Sequence, residues 1–318
     1  SPNILAMSLA THDVCANPKR LRETTNLDLA VSLLAESLTM TPEEVRHRLR
    51  FADRPFAYIR RFVPRDVSER LWVQVTNSAL PPLGVYLEES TIRHYPQGTL
   101  ACHAVGFVNR EGAGNLGVEL TCDRLLRGEP GLIRGIQNRR AQEIVPSRLV
   151  EKPARPGADV YLTVDSQIQY FAERALDEAI ARHAAQSAWA VVQRCRTGEI
   201  LALASRPAFD LNAYGGEPDL HRMTNRAIGV VYEPGSTLKP VAVALALARG
   251  LVTPEQEFDC ENGSWLHARR LLRDYHPYAR LAVADIVKKS SNIGSAKIAL
   301  LLGDAALHDG LKAFGFGR

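Results

Sequence analysis

Apolar positions recur at helical spacing through residues 27–40, LDLAVSLLAESLTM, and this pattern predicts an amphipathic helix. The next stretch, TPEEVRHRLR, predicts a second start. Thr41 is its N-cap, Pro42 takes the first helical position, and Glu44 closes a capping box. Residues 72–107 read as strand-like and irregular, broken at Pro81-Pro82 and Tyr95-Pro96, and a helix is expected over about 117–127. The pattern changes at VEKPARPGADV, where Pro153, Pro156 and Gly157 disfavour regular structure. Beyond it, DVYLTV alternates as a strand does, and Asp165 is placed to cap a helix with Ile168, Ala172, Ala175, Leu176, Ala179 and Ile180 on one face. SAWAVVQR and EILALAS, joined by CRTG, predict a β-hairpin. An apolar helix is expected at or near Ser236, and further helices at about 281–289, 292–302 and 305–314. Strand, helix, hairpin and helix cluster together make an α+β pattern.

Composition narrows the class. The 318 residues, 46% of them apolar, suffice for two domains with separate cores. Net charge is +4 with no Lys/Arg run behind it, which argues against a nucleic-acid partner. No stretch of about 18 apolar residues spans a membrane. The five cysteines are scattered without a C-x-x-C pair, so they are expected to be mostly buried, unreactive thiols.

Candidate chemistry centres on YEPGSTLKP, residues 232–240. Ser236 and Lys239 are three residues apart, so a helical setting puts them on one face. A serine hydroxyl needs a base to become a nucleophile, and a lysine serves once burial lowers its pKa. A serine at a helix start also lies beside unpaired backbone N–H groups that suit a developing oxyanion. Gly235 permits the tight approach and Pro234 stiffens it. A second element, Ser290-Ser291-Asn292, offers a hydroxyl for proton relay and an amide to hold a peptide. Each motif is short enough to arise by chance. Their order, their 54-residue separation and their helical settings give them weight.

With these motifs on the page, the chain resembles a class B penicillin-binding protein, a peptidoglycan D,D-transpeptidase. RHYPQGTLACHAVGFVNREGAGNLGVELTCDRLLRGEPG (93–131) resembles the family's N-terminal, non-catalytic domain. VYLTVDSQIQYFAERAL and TGEILALASRPAFDLN resemble the opening of its transpeptidase domain, and NRAIGVVYEPGSTLKP the stretch bearing its nucleophile. Glu-Pro-Gly before the serine and RPFAYIRRFVP near residue 54 are more like the septal subgroup. The resemblance implies an elongated pedestal of the dimerisation type over residues 1–155. It implies a C-terminally incomplete penicilloyl-serine transferase domain over 156–318. Ser236 would be the acylated nucleophile, Lys239 its base, Ser290 a proton relay, and Asn292 the holder of the donor stem peptide. No metal or organic cofactor is implied. The implied partners are peptidoglycan stem peptides, lipid-linked precursors, β-lactams as covalent inhibitors, and division or glycosyltransferase membrane proteins. The implied location is the extracytoplasmic side of the cytoplasmic membrane, with the anchor upstream, since NILAMSLATHDVCANP resembles the segment after that anchor.

Departures qualify the resemblance. The family's Lys-Thr-Gly or Lys-Ser-Gly triplet is missing, so a fragment of a longer chain is expected in preference to a degenerate relative. Cys195-Arg196 replaces an Asp-Pro-like pair, read as a hairpin-turn variation. Gly112–Gly117 matches G-x-G-x-x-G but has no β-α-β setting, so these glycines are expected in turns, with Gly117 and Glu119 structural. Arg93 is expected to be ion-paired, His94, Cys102 and His103 to be surface or core residues, and Glu233 exposed. Two other functional classes stay open: a serine hydrolase of the D,D-carboxypeptidase or β-lactamase type, and a non-catalytic scaffold or β-lactam sensor.

Overall fold

The computed structural model describes residues 3–23, 27–51, 54–80, 84–135, 149–213 and 219–317, and the chain forms two compact units, 1–230 and 231–318. The Pro81-Pro82 break lies outside the described residues, as do residues 214–218, between the predicted hairpin and the helix expected at or near Ser236.

In the first unit, strands Met7–Ala16, Ala57–Pro64 and Val85–His94 form an antiparallel sheet with Met7–Ala16 in the middle. The helices Leu27–Leu38, Pro42–Arg48 and Arg65–Thr76 bury Leu34, Leu38, Val45 and Leu71 against Val14 and Ile59 of the sheet. The predicted capping box is present. Thr41 Oγ1 accepts from the Glu44 backbone N–H at 3.2 Å, and the Glu44 carboxylate accepts from the Thr41 N–H at 2.8 Å. Residues 72–76 are the end of a helix rather than strand-like, because Leu71 and Val75 continue a helical spacing into the core.

A second core in this unit gathers Tyr95, Ala101, Cys102, Val105, Phe107 and Leu211. The expected helix over 117–127 is two short ones, Gly117–Thr121 and Asp123–Leu126, separated at Cys122. Arg93 pairs with buried Glu119 at 2.7 Å, as its sequence setting predicts. Gly117 is a close-approach residue: its φ is +57°, and a Cβ there would lie 2.6 Å from the Ala104 carbonyl oxygen. His103 is buried and its Nε2–H donates to the Arg222 carbonyl at 2.7 Å, a core role.

The helix Ser166–His183 starts at Asp165, whose carboxylate accepts from the Gln167 and Ile168 N–H groups. Its apolar face is only half-buried, and Ala175 is exposed. Its buried residues are polar: Gln169 bonds to the Leu203 backbone, and Glu173 accepts from the Ala101 N–H and pairs with Arg206. DVYLTV is not a strand. Ala158, just before the segment, donates its N–H to Leu125 O, and Thr163 Oγ1 donates to Ile200 O, but no ladder forms among the described residues. The hairpin is present as Ala188–Gln193 paired with Ile200–Arg206. Cys15, Cys102 and Cys260 are buried, Cys122 is half-buried and Cys195 is exposed. Burial pushes the Cys15 thiol up to about 12 and that of Cys102 to about 11, beyond the range of a reactive thiolate.

The second unit packs the helices Lys239–Ala248, Val283–Lys289, Asn292–Leu302 and Asp304–Ala313 around Val243, Ala246, Ile286, Ile298 and Leu302. Sequence periodicity located the last three helices to within two residues. It missed two antiparallel pairs: Glu257–Asp259 with Arg280–Ala282, and Ser264–His267 with Arg270–Arg273.

Candidate active site

The four residues singled out by the motifs all lie in the second unit. Residues 231–234 are irregular, and Gly235 has a φ of +57°, a conformation that penalises any residue with a Cβ. It turns the chain into a single 3₁₀ turn, Gly235–Leu238, which carries Ser236, while the α-helix proper begins at Lys239. The helix expected at or near Ser236 therefore opens with a tighter turn that carries Ser236. Side chains three apart eclipse in a 3₁₀ turn, so Ser236 and Lys239 stand on the same side. Ser236 is exposed, and neither its hydroxyl nor its backbone N–H has a hydrogen-bond partner among the described residues.

Lys239 joins the two motifs. Its Nζ donates to Ser290 Oγ at 3.0 Å and to the Ser290 carbonyl at 2.6 Å, rather than to Ser236. Burial lowers its pKa from the ordinary lysine value, and the negative charge of Asp274 opposes that shift. Ser290 reaches the amine because of an unusual backbone. It sits in the left-handed region, φ 57° and ψ 41°, closing the helix Val283–Lys289. Ser291 then caps the next helix, accepting from the Gly294 N–H at 2.9 Å. The two helices approach so closely that a Cβ on Gly294 would lie 2.6 Å from Ile286 Cγ1.

Asn292 is exposed and does not bond to Lys239 or Ser290. Its Nδ2 donates to the Arg273 carbonyl at 2.7 Å, and its Oδ1 has no donor among the described residues. The amide is thus oriented by the hairpin 264–273, with its acceptor oxygen left over.

Asp274 is the residue that motif reasoning missed. Its Oδ1 accepts from the backbone N–H groups of Asn292 at 2.6 Å and Ile293 at 3.1 Å, and its Oδ2 accepts from Ser291 Oγ at 2.6 Å. One carboxylate thereby fixes the turn that presents Ser290 and Asn292, at the favourable end of a helix dipole. No local spacing marks it. The available signal was a lone acid in an otherwise basic stretch, LHARRLLRDYHPYAR. Cys260 lies beneath, 3.6 Å from Ser291 Oγ, with its thiol pKa raised by burial. Among the described residues no group of three His, Cys, Asp or Glu side chains is placed to hold a metal ion.

This arrangement supplies an exposed hydroxyl, an amine whose ammonium form is disfavoured, a second hydroxyl on that amine, and an oriented amide. Comparison with known proteins agrees. The model of the penicillin-binding protein dimerisation domain matches residues 1–162, and that of the penicillin-binding protein transpeptidase domain matches residues 188–318. The chain is 32% identical over 317 residues to the probable peptidoglycan D,D-transpeptidase PenA of Neisseria meningitidis, covering 99% of this chain and 52% of that protein. It is 31% identical over 323 residues to the peptidoglycan D,D-transpeptidase FtsI of Escherichia coli, again covering 99% and 52%. The chain spans about half the length of the curated relatives it matches. The crystal structure of penicillin-binding protein 2X from Streptococcus thermophilus superposes with a TM-score of 0.75 at 22% identity, covering 99% of this chain and 50% of that one, and so shares the fold. The two domain matches and the identity over nearly its whole length place this chain in the class B penicillin-binding protein family.

Proposed function

We propose that this chain carries the acyl-serine site of a peptidoglycan D,D-transpeptidase acting at division, with residues 1–155 as a non-catalytic pedestal and 156–318 as part of the transpeptidase domain. The observation that carries the reading is the Lys239 amine, bonded at 3.0 Å to Ser290 Oγ and one turn from Ser236. In its neutral form Lys239 takes the Ser236 proton while Oγ attacks the carbonyl of the penultimate D-Ala of a stem peptide. The Ser236 N–H, which has no acceptor among the described residues, donates to the oxyanion. Ser290 passes the proton from Lys239 to the amine of the departing D-Ala as the C–N bond breaks. The amine of a neighbouring stem peptide then attacks the ester, gives its proton to Lys239, and Ser236 regains its hydroxyl. Asn292 Oδ1 accepts an N–H of the donor peptide. A β-lactam follows the first step and stays on Ser236.

Among the described residues no helix is long and apolar enough to cross a membrane. The proposal places the site on the extracytoplasmic side of the cytoplasmic membrane, tethered by a segment outside this sequence. There it meets lipid-linked precursors and membrane-bound glycosyltransferase and division proteins. The name FtsI among the relatives supports this division setting.

The test is acylation by a labelled penicillin, followed by digestion and location of the adduct by mass spectrometry. A label on Ser236 that disappears in Ser236→Ala is the expected result. A folded chain that takes no label at Ser236 overturns the reading.

A further inference from the structure

The charge of the molecule is unevenly placed. Residues 264–297 hold seven Lys and Arg against two Asp, a net of +5, although the whole chain is only +4. The basic residues are spaced apart in sequence, so no run announces them. The fold gathers them on the elements around Asn292. One of the two acids, Asp274, is consumed by backbone and Ser291 hydrogen bonds. Lys297 and Arg280 are paired with Glu261 and Glu257, but Arg269, Arg270 and Arg273 are exposed and make no ion pair or side-chain hydrogen bond among the described residues.

These three arginines lie on the hairpin 264–273. Its register opposes Leu271 to Leu266 and Arg273 to Ser264, so these four share a face. That face is open: Leu266 is 70% and Leu271 52% exposed. The other face half-buries Trp265 and Leu272, with Lys297 over the Trp265 ring. The hairpin tip is Ala268-Arg269, with φ values of 45° and 64°, a turn that Asn-Gly would form with less strain. Strain of about 1 kcal/mol or more per such residue is retained where the side chain is wanted for more than folding. The hairpin base is tied to the site, since the Arg273 carbonyl accepts from Asn292 Nδ2.

Building on the transpeptidase reading, we propose that the exposed face and tip of this hairpin dock the carboxylate-bearing part of a peptidoglycan stem peptide. Arg269 and Arg273 pair with its side carboxylates, and Leu266 and Leu271 cover its aliphatic groups. The charge argument selects this occupant. A stem peptide bound at Asn292 brings several carboxylates within reach of the unpaired guanidinium groups, and guanidinium matches carboxylate geometry. The surface thus selects the substrate's acidic positions, away from the bond that reacts.

The test measures binding of two soluble pentapeptides ending in D-Ala-D-Ala, using the intact 318-residue chain and Trp fluorescence or calorimetry. One carries a free γ-D-glutamyl carboxylate and the other its amide. The acid should bind roughly fivefold more tightly at low salt, and Arg269→Gln/Arg273→Gln should weaken it about tenfold, as expected for exposed ion pairs. Equal affinity for acid and amide overturns the proposal, and this comparison needs no variant to fold. Tighter binding to anionic phospholipid vesicles than to the acidic peptide also overturns it. Penicillin labelling of Ser236, run in parallel, keeps the two readings apart. Labelling without acid preference defeats only the docking surface. Acid preference without labelling defeats only the catalytic assignment.

Discussion

Asp274 holds three hydrogen-bond donors and is also the one charge that opposes the burial shift on Lys239. Asp274→Asn separates these roles, because Oδ1 can still accept from Asn292 and Ile293. With Lys239 as the proposed base, acylation requires its neutral form, and the rate rises as pH climbs through the Lys239 pKa. The Asp274 charge favours the ammonium form; removing it lowers that pKa, and the acidic limb of the penicillin acylation profile moves to lower pH. A profile that stays in place while only the rate drops would limit Asp274 to a capping role. The pair Ser236/Lys239 and the Ser290–Asn292 triplet were legible in the sequence because each is a short local pattern. Asp274 was not, because its partners are 17 to 19 residues away and are reached only through a hairpin that breaks helical periodicity.

At the scale of elements, the site is a junction. Ser290 is presented where the helices Val283–Lys289 and Asn292–Leu302 meet, and that meeting depends on Gly294 facing Ile286. An alanine at an interior helix position ordinarily gains about 1 kcal/mol over glycine. Here its Cβ would meet three atoms of the fully buried Ile286 side chain at 2.6 to 3.0 Å. Overpacking of this kind costs about 1–3 kcal/mol. Gly294→Ala is therefore expected to lower stability by about 1 kcal/mol net and to slow acylation by shifting Ser290 off the Lys239 amine. Denaturant unfolding with parallel penicillin labelling checks both, and a stabilised variant with unchanged labelling would show that the helices part freely. These helices could be read from apolar spacing, as could the hairpin 188–206 and the capping box at Thr41. The central strand Met7–Ala16 could not, since its MSLATHDVCA lacks a strict alternation and draws its burial from paired strands 41 to 87 residues away. Periodicity also overstated DVYLTV, where alternation is present but no partner strand among the described residues completes a ladder.

Across the whole molecule, the two compact units keep separate cores. Leu71, with no exposed surface, belongs to the sheet-and-helix core of the first unit, and Ile286 to that of the second. Every side-chain hydrogen bond of Lys239, Asp274, Ser290, Ser291 and Asn292 among the described residues is made between residues 239 and 294. The candidate site is thus assembled by local bonding in the second unit, while the first packs its own cores. Leu71→Ala should cost about 3 kcal/mol through lost burial and the cavity left behind. Penicillin labelling of Ser236, measured below the variant's unfolding midpoint, should nevertheless stay within about twofold of the parent rate, because additivity holds for sites that share no partners. Ile286→Ala removes a similar amount of buried surface but loosens the junction under Ser290, and labelling should fall with it. If the two variants impair acylation equally at matched stability, the nucleophile depends on the integrity of the whole chain and not on the bonds around Lys239.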